Sequence, residues 1–230
     1  MKNTLASFNL ALACWFVLCS GSVRLGKLTS ASKKRWLENA SVYVFLQRFP
    51  LKHSGDLFYH TEILVCERTS FHNEDKAWLD AKISQLSDYV EITSSWWQTQ
   101  KASCVQLGYV GGGHCADQCC AAPVEENYQL NSNISMIGDE YADVNRKSLF
   151  LYGHGSFNGI EAHNALCRQI CWSSWSGMEY HVLWNNCNTF TSTVLSCVYG
   201  LSQKKPQLGP SDMVTVFCKN ECKPILATIE

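Results

Sequence analysis

Apolar and polar residues alternate with several different periods along the chain, and each period predicts an element. Leu5 to Leu18 (LASFNLALACWFVL) is almost unbroken in its apolar character, behind Met1-Lys2 and ahead of the small residues Cys19-Ser20-Gly21-Ser22. A charged start, an apolar middle and a small-residue end predict a secretory signal peptide over residues 1–22, because the run is short for a bilayer span. Residues 23–40, with Lys27, Lys33, Lys34 and Arg35, read as a solvated linker or first helix. Ser41 to Leu46 (SVYVFL) and Phe58 to Cys66 (FYHTEILVC) are rich in β-branched and aromatic residues and predict strands. In Asn73 to Val90 the residues Trp78, Ile83, Leu86 and Val90 fall near helical spacing behind Glu74 and Asp75, which predicts a helix.

The second half continues in the same manner. Ser148 to Tyr152 predicts a buried strand, Asn158 to Cys171 a helix, Tyr180 to Trp184 a strand and Cys187 to Leu201 a helix. The tail from Pro206 to Glu230 is loop-rich, with one short strand at Met213 to Cys218. Val105 to Ser135 differs from its surroundings. It carries Gly111-Gly112-Gly113, Cys115, Cys119, Cys120 and Pro123, and reads as a cysteine-rich surface insertion at about residues 100–140 of a domain spanning 41–230. The glycine triplet is not a phosphate loop, since no Gly-Lys-Ser/Thr follows it.

Composition narrows the function. The 230 residues are 46% hydrophobic and 17% charged, enough to bury one substantial core. With 19 Lys plus Arg against 20 Asp plus Glu there is no global field for holding nucleic acid, and no nucleic-acid partner is expected. No second apolar run reaches transmembrane length, so no membrane span is expected in the mature form. Thirteen cysteines point to an oxidising compartment, and hence to a secreted or secretory-lumen protein. Removal of the signal peptide takes Cys14 and Cys19 and leaves eleven, an odd number, so five disulfides would leave one thiol reduced; Cys66 and Cys187 are both candidates. Asn39-Ala40-Ser41 and Asn133-Ile134-Ser135 are sequons compatible with glycosylation. His163, Cys167 and Cys171 share a helical face at metal-ligand spacing, but disulfide bonding suits such cysteines better in an oxidising lumen, and neither a metal nor a cofactor is expected.

The chemistry concentrates at Asn185-Asn186-Cys187-Asn188-Thr189-Phe190, which sets a cysteine where a strand gives way to an amphipathic helix. Unpaired amides at a helix start favour the thiolate and can hold an oxyanion, with Asn186 as a supporting donor. A nucleophilic cysteine also needs a base, and His60 suits that role. Strand alternation turns the His60 side chain the same way as Glu62 and away from Thr61. The residue that orients His60 is not evident from the sequence.

Tyr180-His181-Val182-Leu183-Trp184-Asn185-Asn186-Cys187-Asn188-Thr189-Phe190-Thr191 strongly resembles the cysteine block of the PPPDE superfamily, the permuted papain-fold peptidases that include the desumoylating isopeptidases. His60-Thr61-x-Ile63-x-Val65 is similar to that family's His-Thr strand, and histidine precedes cysteine, as in the permuted branch. The resemblance implies an α+β, permuted papain-like fold with a small antiparallel sheet or barrel packed with helices. It further implies Cys187 as nucleophile, His60 as general base, a protein or peptide substrate, and an acyl-enzyme intermediate. Two other readings stay open: a thioesterase or acyltransferase of related fold, and a non-catalytic secreted binding or effector protein.

Overall fold

The structure, a computed structural model, describes residues 41–54, 57–110, 124–169 and 186–202, together with 204 and 206. The expected signal peptide, linker, glycine triplet, strand at 180–184 and C-terminal strand lie outside the described residues, as do Cys115, Cys119, Cys120 and Cys171.

One antiparallel sheet carries the architecture, with strands in the order β3-β6-β1-β2-β4-β5. The strands are β1 (Val42–Pro50), β2 (Tyr59–Glu67), β3 (Val90–Ile92), β4 (Ser103–Leu107), β5 (Val124–Gln129) and β6 (Ser148–Gly155). The helices are α1 (Asn73–Ser84), α2 (Ser94–Trp97), α3 (Gly159–Gln169) and α4 (Cys187–Thr193), the last running on into a π-helical turn at Val194–Val198. The class is therefore α+β.

Strand β1 is apolar almost throughout because it is central and covered on both faces. Val42, Val44 and Leu46 join Ile63, Val65, Phe150 and Phe190 in the core beneath α4. Tyr43 and Phe45 point the other way, into a second core with Leu79 of α1 and Trp97 of α2. Two glycines permit close approach. A Cβ on Gly155 would lie 2.5 Å from the ring of Tyr199, and one on Gly108 would lie 2.7 Å from Met136 Sδ.

Three expectations change. The helix predicted to Val90 stops at Ser84, and Val90–Ile92 leaves it to pair with β6, where β-branched residues gain a cross-strand partner. Nor is the cysteine-rich stretch confined to the surface. It supplies β4 and β5, and Cys104 is bonded to Cys66 directly across the β2–β4 ladder. Cys66 is thereby removed as the reduced cysteine. A buried disulfide is compatible with an extracellular protein. No helix among the described residues is long and apolar enough to cross a membrane.

Candidate active site

Helix α4 begins at Cys187 because Asn186 ends the extended chain and caps it. The Asn186 carboxamide oxygen accepts from the amides of Asn188 at 2.9 Å and Thr189 at 3.2 Å. The helix is fixed to β2 by Thr61, whose hydroxyl lies 2.7 Å from Asn188 Oδ1 and 3.0 Å from Thr191 Oγ1. Cys187 carries a reduced, buried thiol, with its sulfur 3.9 Å from Asn188 Oδ1. Cys197, further along, is disulfide-bonded.

His60 lies on the opposite side of β2 from Thr61, close enough to Cys187 for the sulfur's charge to act on its ring. Its Nε2 is 2.9 Å from Glu62 Oε1, which fixes the ring by one of its two nitrogens. All three groups are withdrawn from water, with Cys187 5%, His60 2% and Glu62 0% exposed. Burial acts against the imidazolium, but the Cys187 thiolate and the Glu62 carboxylate outweigh it, and the His60 pKa is pushed up to about 10. For Glu62 burial favours the neutral acid; the His60 ring, the Met136 amide and the Ser135 hydroxyl reverse this and hold the carboxyl below its usual range.

No family model, no curated protein and no solved structure matches this chain.

Glu62 is the residue of this candidate site that sequence reasoning left unassigned. Its Oε1 accepts from Ser135 Oγ at 2.8 Å and the Met136 amide at 2.8 Å, besides His60. Its Oε2 accepts from Gln47 Nε2 and Gln106 Nε2, each at 2.5 Å. A carboxylate with five donors is fixed in place and holds the imidazole in turn. The signal was present in the strand: two residues beyond His60, an acidic side chain on the same face of an otherwise apolar run.

The sequence-predicted residues are thus brought together as Asn186, Cys187 and His60 around the mouth of α4. Asn186 acts through its carboxamide oxygen as the cap of α4. Asn133 is exposed, whereas Ser135 of the same sequon is buried against Glu62. His163 lies on α3, and among the described residues no group of three or more metal-ligating side chains converges.

Proposed function

We propose that this chain is a cysteine hydrolase of permuted papain-like type, acting in the secretory lumen or outside the cell on amide bonds of a protein or peptide. The observation that carries this reading is the buried His60 imidazole, held by Glu62 at 2.9 Å, its pKa pushed up by the neighbouring Cys187 sulfur and the Glu62 carboxylate against the effect of burial. Structural histidines and cysteines seldom hold an ion pair away from water with a third group fixing the ring, whereas a nucleophile and its base require that arrangement. The resemblance of both sequence blocks to the PPPDE superfamily supports the same assignment.

In the proposed reaction the Cys187 thiolate attacks the scissile carbonyl carbon, forming a C–S bond and a tetrahedral oxyanion. Collapse of that intermediate breaks the C–N bond, and the His60 imidazolium gives its proton to the departing amine. Neutral His60 then takes a proton from water, whose hydroxide attacks the thioester; the C–S bond breaks and the carboxylic acid leaves. Glu62 keeps Nε2 protonated and the ring aimed. The Cys187 amide, with the Asn186 carboxamide beside it, is the donor set assigned to the oxyanion.

Iodoacetamide labelling with peptide mapping, followed by a fluorogenic panel of peptide amides and acyl thioesters, tests the assignment. Cys187 should be alkylated before any other cysteine, amide turnover should vanish in Cys187→Ser, and His60→Ala should lose about 10²- to 10⁴-fold. Turnover of thioesters alone would move the chain to the acyltransferase and thioesterase class. A Cys187 recovered in a disulfide from native protein would end the catalytic reading.

A further inference from the structure

We propose that Lys147 is a positioning residue: its amino group, through its N–H donors, clasps the strap Leu130–Met136 against Glu62 and so fixes the carboxylate that orients His60. This rests on the catalytic reading of His60 and Cys187 given above.

Lys147 stands immediately before β6 and is buried, a location where an amine is disfavoured unless its donors are matched. They are matched here. Nζ lies 2.8 Å from Ser132 O, 3.0 Å from Leu130 O and 3.3 Å from the Tyr128 hydroxyl, so every N–H of the amine or the ammonium has an acceptor. The rings of Trp97 and Tyr128 lie 4.5 and 5.3 Å from it and present their faces to the charge. Two of those acceptors are backbone carbonyls of the strap, and the third, Tyr128, extends the clasp. Its hydroxyl is 2.7 Å from Ser132 O and 3.0 Å from Gln47 Oε1.

The far end of the strap serves the site. Gln106 Nε2 ties Ile134 O at 3.2 Å, and the next two residues send Ser135 Oγ and the Met136 amide to Glu62 Oε1. Gln47, bonded to both Tyr128 and Glu62, closes a second route between the lysine and the carboxylate. On its outer side the strap faces a cleft of about 420 Å³ bordered by Ser132, Ile134 and Met136. A loosened strap would therefore admit water to Glu62. Screening by that water would weaken the hold on His60.

Lys147→Met isolates the clasp. The thioether fills the aromatic surround and keeps volume but donates nothing, so Leu130 O and Ser132 O lose their partner. Three readouts distinguish the possibilities: exchange of the Met136 amide, titration of the His60 ring by NMR, and the pH profile of Cys187 alkylation by iodoacetamide. In Lys147→Met the Met136 amide should exchange roughly tenfold faster or more, the His60 midpoint should move down from about 10, and alkylation below that midpoint should slow because less thiolate is held against a weakened imidazolium. Lys147→Arg, which retains donors and charge, should restore part of both. Should Lys147→Met fail to fold, Tyr128→Phe removes the shared hydroxyl and should produce the same two shifts. Unchanged exchange and an unchanged His60 midpoint in a folded Lys147→Met protein would overturn the proposal. Failure of the catalytic reading is separately visible: wild-type Cys187 would then not be alkylated ahead of the other cysteines, whatever the Met136 amide does.

Discussion

His60 is a charged ring in a place that disfavours charge, and its neighbours determine what it can do. The imidazolium persists to about pH 10 because an anionic sulfur and an anionic carboxylate flank it. Amide hydrolysis needs that proton for the leaving amine, so turnover should fall on an alkaline limb near 10, while alkylation of Cys187, which needs only the thiolate, should not fall there. A pH series of both rates on one preparation checks this. Glu62→Gln removes a negative charge and places an NH2 group among the amide donors of Gln47 and Gln106. We expect roughly a hundredfold loss in kcat, with the alkaline limb displaced downward. Asn186 acts through its cap oxygen: Asn186→Ala should lower stability by about 1 kcal/mol in urea unfolding, and Asn186→Asp, which keeps a capping oxygen, should restore it. At this scale much was legible from sequence. Alternation alone put His60 and Glu62 on one face; what it could not supply was Ser135 and Met136, which arrive from a strap more than 70 positions away.

Elements were legible where local pattern and burial agreed. Strand β1 was expected to end at Leu46, since Gln47 and Arg48 interrupt the apolar run, yet it continues to Pro50. The polar residues belong to the site's supporting network: Gln47 bonds Glu62, and Arg48 lies over the rings of Tyr59 and Phe150 at 4.5 and 5.2 Å. Helix α1 ended early because pairing with β6 outweighs the helical spacing of Val90, a tertiary effect invisible in a local window. Strands β4 and β5 were hidden by cysteine and glycine content, which reads as loop. Their attachment to the site is covalent as well as hydrogen-bonded, through Cys66–Cys104, with a sequence separation of 38 residues. Closing a loop of that size removes unfolded-state entropy, so Cys66→Ala/Cys104→Ala should lose about 3 to 4 kcal/mol on the chain-entropy model. Urea unfolding of reduced and oxidised wild type beside the double variant measures this. The ladder from Ile63 to Cys66 should keep β2 and β4 paired under native conditions, so Cys187 alkylation should survive in the variant.

The whole molecule binds its protons differently folded and unfolded, and two buried groups set opposite slopes. Burial pushes the Lys147 ammonium down to about 7, with the Glu62 carboxylate acting the other way, against an unfolded value of 10.5. Between those limits the unfolded chain carries a proton that the folded chain lacks, so this lysine makes stability rise with pH from about 7 to 10.5. His60 has the reverse sign. Raised from 6.5 to about 10, it contributes stability in full below 6.5 and loses it as pH climbs through 10. Because the thiol of an unfolded Cys187 keeps its proton to about 8.5, the Cys187–His60 ion pair taken together begins to lose stability only above that point. Wild type should therefore gain stability from pH 7 to about 8.5 and stay near level from there to about 10, where the loss at the pair and the gain at the lysine offset each other. Lys147→Met removes the lysine's slope, and below about pH 8.5 the Cys187–His60 pair adds no slope in either protein. Relative to that variant, wild type should gain about 1.4 kcal/mol for each pH unit between roughly 7.5 and 8.5, and show no trend below 7. Urea midpoints taken every half unit of pH decide the matter; a difference that is flat throughout would mean that Lys147 keeps its proton in the fold, held by its three acceptors more strongly than burial opposes it.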